Sequence, residues 1–450
     1  MTSRAPPTAT PSTVVRSYLT ISALFTLSAS VIWGVNTLFL LDAGLDIFEV
    51  FVANAAFTAG LVLFEVPTGV VADTRGRRQS FLWSTVILLV GTTAYVAIAV
   101  LGGGLWAFVV ASLVLGLGFS FYSGAVEAWL VDALTATGYD GQLDPVFARG
   151  AIVSGTAEVV GSVAGGLLGS IDLAVPFVAR SVLLAGVFVV GWAGMHDVGF
   201  VPRTPRLSAM PAEMRRVLDA SLTYGWRNRP VRLLMAVSFV QGAFLLWAFY
   251  AWQPYFLGLL GTDSVWVGGV IAALVATAAI AGNGLVEFLS RFCGHRTTLL
   301  LASCGVLAAA SVGVGVVDSF SVAVGLFLLA IAATGVGAPV QQAYLHAVVP
   351  SAERATVVSS VSLVDSAGGI GGSLGLGYLS RAQSVSAGYV TGGLFCLLAI
   401  PPLVALRHLR LGADRIVGRK AGRPGPCAGQ GLPVIASVDT TARAPEPTAA

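Results

Sequence analysis

The chain has 450 residues, 56% of them apolar and only 10% charged, with a mean hydropathy of +0.85. Soluble domains carry about a quarter charged residues, so most of this chain is built to lie in lipid. A net charge of +3, spread as arginines over many short loops, is too small to argue for a nucleic-acid surface.

A membrane-crossing helix needs about 20 apolar residues. Twelve stretches supply them: 18–41, 48–71, 80–101, 105–129, 147–169, 174–195, 232–257, 265–287, 298–317, 320–345, 355–379 and 385–406. The first run is longer than the ~7–15 apolar residues of a signal-peptide core, so it reads as a retained helix. Between the sixth and seventh stretches, Pro202 to Arg232 holds seven arginines and an amphipathic run around Met214 to Leu222. The expected organisation is a cytoplasmic tail over 1–17, a six-helix half over 18–195, a cytoplasmic linker over 196–231, a second six-helix half over 232–406 and a disordered cytoplasmic tail over 407–450. Both tails are rich in Pro, Ala, Gly and Thr and hold too little apolar surface to fold. Cys293, Cys304, Cys396 and Cys427 have neither CxxC nor metal-ligand spacing and read as free thiols.

Orientation follows from the arginines. Arg4, Arg16, Arg75, Arg77, Arg78, Arg149, the central linker, Arg291, Arg296, Arg354 and Arg407 fall on alternate loops. The opposing loops hold Asp42, Asp46, Asp172, Asp263 and Asp318, with Arg381 the one basic exception. Positive charge favours the cytoplasmic side, which places both termini there, as an even number of spans requires.

Residues 69–78 read Gly69-Val-Val-Ala-Asp73-Thr-Arg75-Gly76-Arg77-Arg78 and sit between the second and third stretches. The decapeptide resembles the loop between the second and third helices of major facilitator superfamily transporters, with Thr74 where a basic residue is usual. That resemblance implies an all-α integral membrane fold, twelve transmembrane helices in two pseudo-symmetric six-helix bundles, and alternating access. Internal echoes agree with it. Gly76 and Arg78 repeat as Gly294 and Arg296, Ala128-Trp129-Leu130 as Ala343-Tyr344-Leu345, and Arg149 to Ser154 as Arg354 to Ser359. Asn36 on the first helix falls opposite Gln253 on the seventh.

The resemblance also assigns a conformational latch. Gly69, Asp73, Gly76, Arg77 and Arg78 match the loop pattern, and Asp132 or Glu127 at the inner end of the fourth helix would supply the acidic partner. A plain helix-end salt bridge is the alternative. Glu65 and Glu287, also near the inner end, read as interfacial or latch-supporting.

Ionisable groups inside a bilayer cost about 2.5–3.5 kcal/mol each at a helix centre. Glu158 and Asp365 lie about eleven residues into the fifth and eleventh stretches, roughly 17 Å deep, and are candidates for proton coupling. A permanently paired structural acid is the alternative. In the resembled fold the first, fourth, seventh and tenth helices line the cavity. On them lie Trp33, Asn36, Tyr122, Trp247, Tyr250, Gln253, Gln341, Gln342 and Tyr344, a wall suited to a flat, largely apolar molecule. Any one of these aromatics could instead be packing or interface belt. Arg180 lies about 9 Å from the outer end of the sixth helix, within reach of the surface by snorkelling.

Two departures weaken an analogy with proton-driven drug exporters. Ser112 stands where their fourth helix often carries arginine, four residues before Gly116-Leu-Gly118. Their fifth helix often reads Gly-Pro-x-x-Gly-Gly, and here it is Gly161-Ser162-Val-Ala-Gly165-Gly166, which keeps the small-residue face without the proline. An enzyme or an ATP-driven pump has no supporting motif, and a receptor would need a folded soluble domain that neither tail can form. The expected activity is proton-coupled efflux of a small, largely apolar compound, with proton-coupled uptake of a nutrient or metabolite as the alternative. The expected setting is the plasma membrane, with the bilayer, a small molecule and protons as partners. The chain is expected to be monomeric, with no cofactor, metal or nucleic acid.

Overall fold

The computed structural model of the chain describes residues 10–200, 225, 227–261, 264–350 and 353–416. Most of the expected linker, Cys427, and the outer parts of both tails lie outside the described residues. The described chain is helical, with one isolated bridge between His295 and Arg415. In order the helices are α1 Pro11–Ser30, α2 Asn36–Asp42, α3 Ile47–Arg75, α4 Arg77–Val100, α5 Leu105–Tyr122, α6 Ala125–Ala136, α7 Asp144–Gly169 and α8 Val175–Gly194 in the first half. The second half holds α9 Arg229–Leu260, α10 Val265–Ser290, α11 Arg296–Val316, α12 Phe320–Val348, α13 Arg354–Ala382, α14 Val385–Cys396 and α15 Ile400–His408. Eleven of the twelve expected stretches are long and apolar enough to cross a membrane, counting α5 with α6 and α14 with α15.

Helix ends follow local chemistry. Asp46 accepts the backbone N–H groups of Phe48 and Glu49 at 2.9 and 3.0 Å, and Glu49 accepts that of Asp46 in return. This reciprocal cap satisfies donors that a helix start leaves bare. Gly76 ends α3 and starts α4 at φ +107°, a conformation that a residue with a Cβ adopts only under strain.

Three of the differences from the expected spans bear on the site. The first, expected over 18–41, begins at Pro11 and breaks over residues 31–35. The break frees backbone groups inside the membrane, where each must find a partner. Gln253 supplies both: its Oε1 accepts the Thr37 N–H at 2.8 Å and its Nε2 donates to the Trp33 carbonyl at 2.8 Å. The fourth span bends at Ser123 and Gly124, where Gly124 is left-handed, and runs on to Ala136 instead of ending at 129. The fifth starts three residues early, at Asp144, with Pro145 in its first turn.

The packing scheme of the first half repeats in the second. α3 lies on α5 as α10 lies on α12; α1 on α7 as α9 on α13; α4 on α5 as α11 on α12; and α4 on α8 as α11 on α14. The halves meet chiefly through two equivalent contacts, α7 with α10 and α3 with α13, and α2 also touches α9. With no hydrophobic drive between helices in lipid, close approach depends on small residues. A methyl placed on Gly165 would fall 1.8 Å from the Val31 carbonyl oxygen, and one on Gly372 would fall 1.9 Å from that of Ala243. These two glycines hold the matching α1–α7 and α9–α13 interfaces.

Candidate transport site

The hydrogen bonds and ion pairs that join the halves, among the described residues, all lie at the end away from the arginine-rich turns. Besides the two Gln253 bonds, the Thr37 hydroxyl donates to the Tyr250 carbonyl at 2.9 Å. Arg381 reaches Asp46 across the halves at 3.3 Å, which explains the one basic residue among the acidic loops. Gly34 lies against the Gly268 carbonyl, Gly166 against Gly269, and Phe51 stacks on Trp247 with ring centroids 5.9 Å apart. This end is a seal. Glycine contacts make it tight and the Gln253 bonds make it specific.

Towards the other end a cavity of about 330 Å³ opens within the second half. Asp365, Gln241, Gln341, Gln342, Ser362 and Thr334 give it polar walls. Asp365 and Gln342 are exposed, while Gln341 donates to the Ser238 hydroxyl at 2.7 Å. The Asp365 carboxylate packs where Gly242 leaves room on α9. Glu158 is not among the residues lining this cavity. It is the fifteenth residue of α7, whereas Asp365 is the twelfth of α13.

A second cavity, of about 260 Å³, lies beneath the seal and is lined mainly by the first half. Trp33, Asn36 and Tyr250 all face it, together with Asn54 and Arg180. Asn36 donates to Asn54 at 3.1 Å, and the Asn54 amide donates to the Val50 carbonyl at 3.0 Å. Arg180 does not snorkel. It is 4% exposed, and its guanidinium carbon sits 5.7 Å from the Phe119 ring centroid. A cation on an aromatic face gains about 2 kcal/mol when desolvated, less than the several kcal/mol that burying an unpaired ion costs.

The remaining candidates lie elsewhere. Tyr122 stacks on Phe25 with centroids 3.6 Å apart and planes at 5°, inside the first half's core. Trp247 and Tyr344 are fully buried, Trp247 against Tyr389 at 5.0 Å. Gln253 belongs to the seal.

At the arginine-rich end, Asp73 and Arg77 form an ion pair at 2.7 Å, one turn apart across Gly76. Neither Asp132 nor Glu127, both on α6, has a hydrogen bond or ion pair to this turn among the described residues. Gly69 faces open space. Asp197, just past α8, also meets this turn: it accepts the Arg78 backbone N–H at 2.9 Å, and the Arg78 guanidinium donates to the Trp192 carbonyl at 2.7 Å. Burial pushes the Asp197 carboxyl above its usual range, while the Arg78 N–H and the charges of Arg78 and Arg77 pull the other way. The only signal for Asp197 in the sequence is an acid directly after the sixth span. The echo of this turn also shifts register. α4 begins at Arg77 and α11 at Arg296, so Arg296 answers Arg77 and not Arg78.

Two-fold repeated helices, a sealed end and polar cavities at membrane depth agree with what the chain is similar to. The Major Facilitator Superfamily profile matches residues 18–312. The tetracycline resistance protein, class G, of Vibrio anguillarum is 27% identical over 355 residues, 78% of this chain and 84% of that protein. Among solved structures, the nucleoside transporter NupG superposes with a TM-score of 0.71 at 11% identity, covering 88% of this chain and 99% of the other. A D-xylose-proton symporter superposes at 0.64 and 14% identity, covering 89% and 97%. The chain thus belongs to the Major Facilitator Superfamily, and it is a multi-pass membrane transporter, not an enzyme.

Proposed function

We propose that the protein exports a small, largely apolar compound by alternating access, driven by protons moving inward. The observation that carries this reading is the placement of every hydrogen bond and ion pair between the halves, among the described residues, at one end, with the Asp365 cavity opening towards the other. With the arginine-rich turns on the cytoplasmic side, this geometry is the inward-facing state of a monomer in the plasma membrane, with both termini in the cytoplasm. In that state Asp365 gives its proton to the cytoplasm as cargo enters. Rocking of the halves breaks the Gln253 seal, and cargo leaves outward as the carboxylate is reprotonated. Similarity to a tetracycline resistance protein supports the outward direction.

Flux into inside-out proteoliposomes under an imposed pH gradient, run across a panel of compounds that includes tetracycline, tests this. Accumulation driven by an acidic interior supports export, and its absence across the panel refutes it. Uptake by symport is the second reading, favoured by the amides and hydroxyls around Asp365, which suit a hydroxylated nutrient. Right-side-out vesicles that accumulate such a solute when the outside is acidic would select it.

A further inference from the structure

We propose that the cavity beneath the seal is an anion-binding subsite, in which Arg180 receives the negative charge of a compact, planar organic anion such as an aromatic carboxylate or an ionised enol. The inference rests on the transport reading and names the chemistry of the cargo.

Three observations carry it. Arg180 is 4% exposed and makes no hydrogen bond or ion pair among the described residues, and its Nε is buried without a partner. No carboxylate lines the cavity it faces. The neighbouring polar groups are already engaged: Tyr95 shares a hydrogen bond with Ser112, and Asn36 and Asn54 bond each other. A guanidinium so placed offers its donors only to something that enters the cavity, and guanidinium forks match planar oxyanions two bonds at a time.

The rest of the wall selects the anion's body. Trp33, Phe57, Phe119, Phe249 and Tyr250 present rings, and about 260 Å³ lies near the lower bound for small-molecule sites, room for one or two fused rings. Trp33 and Tyr250 also belong to the seal, since the Trp33 carbonyl takes the Gln253 amide and the Tyr250 carbonyl takes the Thr37 hydroxyl. An anion held by Arg180 and stacked on these rings touches the elements that must part for release.

Equilibrium binding of labelled naphthoate to the purified full chain in nanodiscs tests the subsite, with naphthamide as the neutral isostere and chloride as an inorganic competitor. The expected result is binding of naphthoate at least about tenfold tighter than naphthamide, the weight of one charge-assisted hydrogen bond. Arg180→Gln should erase that preference while keeping naphthamide affinity, and Arg180→Lys should restore part of it. Equal affinity for the two probes, or no binding of naphthoate, overturns the proposal, and that comparison stands on the unaltered protein if the variants misfold. Displacement of naphthoate by physiological chloride assigns the site to an inorganic ion and overturns it as well. Charge-selective binding without proton-driven flux would keep the subsite and refute export alone.

Discussion

Asp197 caps a helix to which it does not belong, accepting the Arg78 backbone N–H at 2.9 Å from beyond the end of α8. The second half repeats the device: Asp414, past α15, accepts the Thr297 N–H at 2.8 Å and the Thr297 hydroxyl at 3.0 Å. In both cases the acid meets the second residue of a helix, α4 or α11, where bare N–H groups and the positive end of the helix dipole favour a carboxylate. Each clasp ties the last span of a half to its third.

Removing either clasp should cost stability. Asp197→Ala and Asp414→Ala are each expected to lose about 1 kcal/mol, the usual weight of a helix cap, read as earlier thermal unfolding in detergent. Asp197→Asn keeps an acceptor and should lose less. The sign of the pH effect follows from burial. The folded Asp197 carboxyl lies above its unfolded value, so its contribution is fully present below the unfolded value and is lost as pH rises through the folded one. Wild type should therefore gain on Asp197→Asn as the pH is lowered through the acid range, and an unchanging gap would refute the assignment.

The glycines at the α1–α7 and α9–α13 interfaces give a second test. A methyl at Gly165 or Gly372 would overlap a backbone carbonyl, and backbone cannot move aside as a side chain can. Gly165→Ala and Gly372→Ala should each cost about 1–3 kcal/mol through overpacking. Gly186→Ala, where the space is open, is the control and should unfold like wild type.

Most of the fold was legible before any coordinates because lipid imposes a strict length and charge grammar. Eleven expected spans appear as long apolar helices, and the Asp73 to Arg78 turn lies where its glycine and charges put it. What stayed hidden depended on distant partners. The break in the first span reads as ordinary apolar helix until Gln253 is seen supplying the missing bonds. Arg180 read as a snorkelling cation because sequence gives depth along a helix but not the face that points inward. Tyr122 and Trp247 read as cavity wall for the same reason, and both lie in packed aromatic clusters.

The Gln253 bonds give a third prediction. Gln253→Ala leaves the Thr37 N–H and the Trp33 carbonyl without their partner, and an unsatisfied buried group costs about 1–3 kcal/mol. That penalty falls on the sealed state, so the open-outward population should rise by about tenfold or more. A cysteine pair replacing Asp46 and Arg381, whose charged ends meet at 3.3 Å at the seal, should be bridged less readily by a bifunctional thiol reagent in the Gln253→Ala background. Unchanged cross-linking would refute the role.

The charged turn should act on rates. The Asp73–Arg77 pair is about a quarter to a third exposed, and such pairs add under about 1 kcal/mol to stability. Asp73→Asn is therefore expected to leave thermal unfolding nearly unchanged while slowing transport, because the charge biases the exchange between states. Reconstituted Asp73→Asn protein with normal turnover would refute the latch.

The proposed proton coupling sets the two membrane acids apart. Asp365 is exposed to a polar cavity among Gln341, Gln342 and Ser362, where water can deliver and remove a proton. Glu158 lies outside that cavity. A carboxylate at membrane depth stays charged only at a cost, so a group that meets water in one state and is sealed in another is suited to carry a proton between the sides. Asp365→Asn is expected to abolish accumulation driven by a pH gradient while permitting downhill exchange of cargo, since the cavity keeps its shape and loses only its titrating group. Glu158→Gln should retain at least half of the uphill transport. The measurement is counterflow beside gradient-driven uptake in the same proteoliposomes. Full uphill transport by Asp365→Asn with an unaltered pH profile would remove Asp365 from the mechanism, and loss of uphill transport in Glu158→Gln alone would move the proton path to α7.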